Sequence, residues 1–223
     1  VVLEPNMAEK YQSVSDVMAN NMLKLNSDKT HLLIMTSKMH HKKHQDFGIT
    51  LNTGQEIITP VQNEKLLGAQ ISNDFKWNYH IRENEKSLFK LLTSRINALR
   101  KVSYLSTFKD RKMIANGLVM SLIVHLIQLY GGCSDYLIKF IQTLQNKAAR
   151  IVTRLGWRTP ARTLLLQCGW LSVRQMVEYH SLVLMFKVLQ DRKPVYIHSQ
   201  VSVSFARRTR FSKGGSIRET RLF

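Results

Sequence analysis

The chain has 223 residues, with 33 Lys and Arg against 15 Asp and Glu, a formal net charge of +18 and a pI near 10.2; 44% of its residues are hydrophobic. That apolar share supports a buried core and excludes compositional disorder, while the basic excess favours nucleic acid or an anionic surface as partner. Cys133 and Cys168 are the only cysteines and neither sits in a CxxC, which excludes a disulfide framework or a zinc knuckle and fits free thiols in a reducing compartment.

No signal peptide opens the chain, and a start at Val1 rather than Met is expected of a piece of something longer. Met7, Tyr11, Val14, Val17, Met18 and Met22 recur at helical spacing, so a helix is expected over residues 8–22, closed by 23–26. Residues 30–36 read as a strand. Residues 39–44 hold His40, His41 and His44 without a carboxylate or cysteine at ligand spacing, so a solvated basic loop is expected there rather than a metal site. Residues 47–51 and 56–61 alternate around Asn52-Thr53-Gly54, a hairpin signal. A further short strand is expected over 65–71, through Leu66-Leu67-Gly68.

From about residue 79 the hydrophobic period becomes 3.6. Leu88, Leu91, Leu92, Ile96, Leu99 and Val102 mark a helix whose other faces carry Lys86, Lys90, Arg100 and Lys101. Thr107 with Asp110 forms a capping-box pattern ahead of an apolar run, 117–130. At about 14 residues, with His125 and Gln128 inside it, that run is too short to span a bilayer and predicts one buried helix. After Gly131-Gly132, residues 137–155 place Leu137, Ile141, Leu144, Ala148, Ile151 and Leu155 on one face, and the helix is expected to end at Gly156. Lys139, Lys147, Arg150 and Arg154, with Thr143 among them, fill a stripe of roughly 80° that no acid interrupts. Like charges at that spacing repel, and a polyanion relieves the repulsion. A solvated basic face is the plain alternative reading of the same stripe.

Thr159-Pro160 predicts a helix start with Thr159 as N-cap, Gly169 its stop, and Ser172 with Gln175 a second capping box opening a helix through Leu189. The expected core includes Leu88, Leu92, Leu99, Leu122, Ile141, Leu144, Ala148, Ile151 and Trp170, with Trp157 also inside. The tail from Ala206 carries Arg207, Arg208, Arg210, Lys213, Arg218 and Arg221 against Glu219, and poor order is expected of it alone. The fold class is therefore α+β, mainly α. The organisation expected is 1–79 mixed and β-containing, 80–191 helical, and 192–223 a basic tail.

The catalytic signatures sought are missing: there is no Gly-rich phosphate loop, GxSxG or HExxH. Clustered carboxylates able to hold two metal ions are also lacking, Glu83 and Glu85 being the nearest acidic pair. No metal site is expected.

Several blocks nevertheless resemble one family, the reverse transcriptases of non-LTR (LINE-type) retrotransposons. Leu23-Lys24-Leu25-Asn26-Ser27-Asp28-Lys29-Thr30 is similar to the segment after their catalytic hairpin. Leu66-Leu67-Gly68, then Phe75-Lys76-Trp77-Asn78-Tyr79-His80-Ile81, resembles the block at their palm–thumb junction. Gly131-Gly132-Cys133-Ser134-Asp135-Tyr136-Leu137, Leu144-Gln145-Asn146-Lys147-Ala148-Ala149-Arg150 and Gln167-Cys168-Gly169-Trp170-Leu171-Ser172-Val173-Arg174-Gln175 resemble the helical region beyond. Tyr130 stands where the family often has Trp.

The resemblance implies a C-terminal piece of an RNA-directed DNA polymerase: a palm remnant, then a helical thumb and connection. The family's catalytic aspartates lie upstream of the residues matched here, so the isolated chain is expected to be inactive, and the Mg2+ of the full-length polymerase is not expected to bind this chain. Lys29 would neighbour the incoming triphosphate. Leu66, Leu67 and Gly68 would form a primer-gripping hairpin, with Gly allowing close backbone approach. The candidate nucleic-acid contacts are Lys139, Lys147, Arg150, Arg154, Lys86, Lys90, Arg207 and Arg208. The implied partners are an RNA template with its DNA primer and the upstream catalytic part of the same polyprotein. No membrane partner is expected, and the setting implied is an intracellular ribonucleoprotein in cytoplasm and nucleus. A non-enzymatic helical nucleic-acid-binding or scaffolding protein fits the same composition; an upstream reading frame encoding the Asp-Asp hairpin would separate the two.

Overall fold

The computed structural model describes residues 5–26, 29–35, 51–52, 57–202 and 218–219. Among these the chain is mainly helical, with strands in short two-stranded ladders, an α+β arrangement dominated by α. The histidine-rich segment 39–44, Arg207 and Arg208 lie outside the described residues.

Helix α1 (Pro5–Asn20) begins on the proline whose missing N–H costs nothing there. Its Met7, Val14 and Val17 are exposed. β1 (Leu32–Leu33) is shorter than the strand expected over 30–36 and pairs in parallel with β4 (Pro60–Val61). β2 (Leu51–Asn52) and β3 (Ile57–Ile58) pair antiparallel, as the hairpin signal requires, with the turn outside the described residues.

Residues 65–71 are not one strand. β5 (Asn63–Leu66) and β6 (Ala69–Ser72) form a hairpin with Leu66 opposite Ala69. The chain reverses at Leu67 (φ 48°) and Gly68 (φ 91°), and two positive φ angles give the turn the twist that matches the flanking strands.

A π-helical segment, Tyr79–Glu83, leads into α2 (Leu88–Ser103), which buries Leu88, Leu92, Ile96 and Leu99 as its spacing dictates. Helix α3 (Phe108–Ala115) opens on the expected capping box: the Thr107 hydroxyl accepts from the Asp110 N–H, and the Asp110 carboxylate accepts from the Thr107 N–H.

The run 117–130 is neither one helix nor buried throughout: Val119, Met120, Ile123, Ile127 and Tyr130 are buried, whereas Gly117, Ser121, His125, Gln128 and Leu129 are exposed. A π segment, Asn116–Met120, passes into α4 (Ser121–Val124), and Leu126 turns left-handed (φ 60°) before α5 (Ile127–Tyr130). Gly117, Ser121, His125 and Gln128 keep an exposed line at helical spacing across the whole run, so the pattern continues through the break and does not mark it. The buried Tyr130 hydroxyl donates to the Ile123 carbonyl, giving that group a partner at the break.

Helix α6 (Asp135–Thr153) is the central element and buries Leu137, Ile141, Leu144 and Ala148. It ends at Arg154, itself left-handed (φ 57°), rather than at Gly156. Gln145 on α6 is fully buried. It donates to the Leu171 carbonyl (2.8 Å), while Gln142 accepts from the Val173 N–H (2.8 Å). These two bonds fix where α8 (Val173–Asp191) starts, together with the expected Ser172–Gln175 capping box.

Between α6 and α8 lies α7 (Ala161–Cys168), which starts one residue later than expected, with Pro160 rather than Thr159 at its N-cap; Gly169 (φ 63°) stops it. A short α9 (Val195–His198) follows, and β7 (Val201–Ser202) pairs with β8 (Arg218–Glu219).

The core joins α2, α3, α5, α6, α7 and the start of α8. Leu122, Ile151 and Trp170 pack on it half-buried, and the Trp170 indole N–H donates to the Asn116 side chain (2.9 Å). Trp157 is not in the core: it sits in the α6–α7 turn, 78% exposed, with the Arg158 guanidinium over its ring. Cys133 and Cys168 are both free thiols, and burial pushes the Cys168 thiol up to about 11. Among the described residues no helix is long and apolar enough to cross a membrane.

Candidate nucleic-acid interface

Helices α2 and α6 lie side by side in parallel. Near their starts the rings of Phe89 and Phe140 meet at 4.9 Å; fourteen residues further along each, the Arg154 guanidinium donates to the Ser103 carbonyl. The two helices pack against each other as well as on the same core, and neighbours side by side on one core expose the sides turned away from it.

On that shared face α2 presents Lys90, Ser94, Asn97 and Lys101, all exposed, and α6 presents Lys139, Thr143 and Lys147, also exposed. A shallow groove of about 520 Å3 runs along α2, lined by Phe89, Lys90, Thr93, Ser94, Asn97 and Lys101. Lys90 to Lys101 spans about 16 Å at the helical rise, and packed helix axes stand roughly 8–10 Å apart. The face is therefore about half a duplex turn long, with two cationic rails.

Its charge is one-signed. Residues 86–154 hold twelve Lys and Arg against only Asp110 and Asp135. Asp110 is engaged in the α3 capping box and Asp135 is paired with Arg174. At the N-terminal end of the rails, Arg82 lies over the rings of Tyr136 (5.4 Å) and Phe140 (4.7 Å) and donates to the Tyr136 hydroxyl. This cation–π contact leaves a basic group and an exposed aromatic together at the surface.

The stripe read from the sequence divides in two. Lys139 and Lys147 extend from α6 without a partner among the described residues. Arg150 is half-buried and reaches the Trp157 carbonyl at 3.5 Å; its Nε is buried and unpartnered among the described residues. Arg154 is held by the carbonyls of Ser103 and Tyr104 (3.3 Å to the latter), so its charge sits on the C-terminal end of α2. The buried Arg111, which the sequence reading missed, does related work beside it. It donates to the carbonyls of Val152 (2.9 Å) and Ser106 (2.5 Å), and desolvation with the neighbouring Arg154 charge pushes its pKa down. Lys86 is exposed in the turn before α2, and Lys29 is exposed, its N–H bonded to the Asn26 carbonyl (3.1 Å).

The Leu66–Leu67–Gly68 tip exposes both leucines. Its glycine makes a close approach within the chain: a Cβ there would lie 3.0 Å from the His125 Nε2. The hairpin thus docks on the break between α4 and α5. Beneath it the buried His80 accepts from the Gln70 N–H at Nδ1 (3.3 Å) and meets the rings of Trp77 (5.9 Å) and Tyr130 (6.0 Å). Burial, and then the His125 charge, push the His80 pKa down, so its ring is neutral with Nδ1 free to accept.

Among the described residues no three His, Cys, Asp or Glu side chains converge to hold a metal ion, so none is assigned to them. What the sequence reading underused was α2: the spacing of Lys90, Ser94, Asn97 and Lys101 already puts them on one face, but only the parallel pairing with α6 makes that face part of a larger surface.

Comparison with protein families, with curated proteins and with solved structures brought no match.

Proposed function

We propose that this chain is the late-palm, thumb and connection part of a non-LTR retrotransposon reverse transcriptase, and that it grips the template–primer duplex through its basic helical face. The observation that carries the reading is the pair of parallel helices, α2 and α6, which turn Lys90, Lys101, Lys139 and Lys147 to one side with no acid between them. A duplex carries about one phosphate per 1.7 Å of axis, so a face roughly 16 Å long meets several on each strand. Contacts of this kind position a duplex without reading its sequence. The resemblance of the blocks from Leu23 to Gln175 supports the family reading, in which the metal-binding aspartates belong to an upstream segment.

The partners proposed are an RNA template paired with its DNA primer and the upstream catalytic half of the polyprotein. Purified chain should extend no primer with magnesium or manganese, yet bind an RNA–DNA hybrid with log K falling linearly against log salt. Affinity insensitive to salt, or no binding to any duplex by folded protein, overturns the proposal. Equal binding by a chain shown to have an authentic start near Val1 would favour the non-enzymatic reading instead.

A further inference from the structure

A second recess lies at the head of the basic face. It measures about 280 Å3 and sits between the base of the β5–β6 hairpin and the π segment Tyr79–Glu83. Its lining includes Gln62, Asn63, Asn73 and Asn78, which carry carboxamides, together with Tyr79 and Glu83. The side chains of Gln62, Asn63, Asn78 and Glu83 have no hydrogen-bond partner among the described residues.

The floor, by contrast, is fixed. The Ser72 hydroxyl donates to the Asp74 carboxylate (2.6 Å) and accepts from the Lys76 N–H (3.2 Å), and the Lys76 ammonium pairs with Asp74 (3.0 Å). The Ser72 bond, helped by Lys76, holds the Asp74 carboxyl down at about 2, so the floor is already charged and ordered before any ligand arrives.

A fixed polar floor beside the free carboxamides of Gln62, Asn63 and Asn78 suits a ligand with donors and acceptors on one planar edge. An aromatic ring in the same wall suits a planar ligand. A nucleobase has both features, and carboxamides read base edges by paired donor and acceptor contacts. Glu83 accepts, and guanine can donate to one carboxylate through both N1–H and its 2-amino group where uracil and thymine have N3–H alone, so guanine is favoured.

The position agrees with that chemistry. Tyr79 and Glu83 face the recess while Arg82, between them in sequence, lies on Tyr136 and Phe140 at the start of α6. The recess therefore shares its π segment with Arg82, which reaches the start of α6.

We propose that this recess takes one unpaired nucleotide flanking the duplex, its base against Tyr79 and its edge on the carboxamides and Glu83. The proposal rests on the nucleic-acid reading above and is separable from it. The test compares a blunt RNA–DNA hybrid with the same hybrid bearing one unpaired guanosine. The overhang should tighten binding by about fivefold or more, the lower end for base–aromatic stacking. An overhang of uridine should gain less.

Tyr79→Leu, and the exposed pair Gln62→Ala with Asn78→Ala, should remove that gain while leaving blunt-hybrid affinity unchanged; Tyr79→Phe should retain it. Circular dichroism establishes that each variant is folded. Equal binding of blunt and overhung hybrids by the wild-type chain overturns the recess while leaving the duplex grip standing. If the blunt hybrid does not bind at all, the grip fails, and titration with guanosine monophosphate decides the recess alone. Saturating NMR shifts of the Asn63 and Asn78 side-chain amides support it, and unshifted amides overturn it.

Discussion

The guanidinium of Arg154 donates to the carbonyl oxygen of Ser103, the last residue of α2, and so fastens the C-terminal ends of α2 and α6 to each other. The last carbonyls of a helix have no partner within it and carry its negative dipole end, so a cation placed there satisfies both. Arg111, donating to Val152 and Ser106 beside it, makes the joint a two-arginine clamp. A residue that belongs by spacing to the basic stripe is thereby part of the scaffold.

Arg154→Gln should lower the unfolding free energy by about 1–2 kcal/mol, the lower part of the range for hydrogen bonds to charged groups because the side chain is exposed. Lys147→Gln, one helical face away from any partner, should change it by less than about 0.5 kcal/mol. Urea unfolding followed by far-UV circular dichroism separates them, and equal effects would contradict the clamp.

Gly68→Ala meets two penalties at once. The backbone is at φ 91°, where a Cβ is strained, and that Cβ would stand 3.0 Å from the His125 imidazole. A loss of about 1–3 kcal/mol is expected. In a double-mutant cycle, His125→Ala should return the steric part and leave the backbone part. Full additivity would mean that the hairpin tip does not dock at the α4–α5 break.

The neutral state of His80 gives stability a pH dependence of definite sign. Its folded pKa lies below the ordinary value of 6.5, so the unfolded chain binds the proton more readily. Stability should therefore be complete above about pH 6.5 and fall as the pH drops from there towards the folded pKa. Protonation would also cost the bond from the Gln70 N–H to Nδ1. Thermal melts across pH 5–7.5 should show this slope in the wild type and a flatter one in His80→Gln, whatever the variant's absolute stability; parallel profiles would contradict it.

How legible the molecule was from its sequence depended on the kind of signal. Both capping boxes, Thr107–Asp110 and Ser172–Gln175, and the Gly169 stop are local hydrogen-bond chemistry, and they appear where the residues require them. Period alone gives the buried positions Leu88, Leu92, Ile96 and Leu99 of α2 and Leu137, Ile141, Leu144 and Ala148 of α6, whereas Leu91 and Val102 of the same pattern are exposed. The break at Leu126 did not show, because Ser121, His125 and Gln128 continue one helical spacing across it, and the partner that satisfies Ile123 comes from Tyr130 seven residues on. Trp157 was expected inside on hydrophobicity, yet the turn after Arg154 leaves it at the surface. Leu67 disguised a turn as a strand, since a leucine at positive φ is unusual. The one-sided basic face was half visible: the α6 stripe could be read directly, but its alignment with Lys90 and Lys101 depends on long-range pairing through Phe89 and Phe140.

The measurement that bears most directly on the duplex grip is the salt dependence of hybrid binding after Lys90, Lys101, Lys139 and Lys147 are replaced together by Gln. None of the four holds the fold, and Gln keeps helix propensity close to that of Lys, so the variant should remain folded. Each phosphate no longer neutralised should lower the slope of log K against log salt by about 0.9, so by roughly 3–4 in all, with affinity falling similarly for every duplex sequence. Arg162→Gln with Lys187→Gln, on helices α7 and α8 away from that face, should leave the slope close to wild type. A folded quadruple variant with unaltered affinity and slope would show that the paired rails are a solvated surface and contradict the grip.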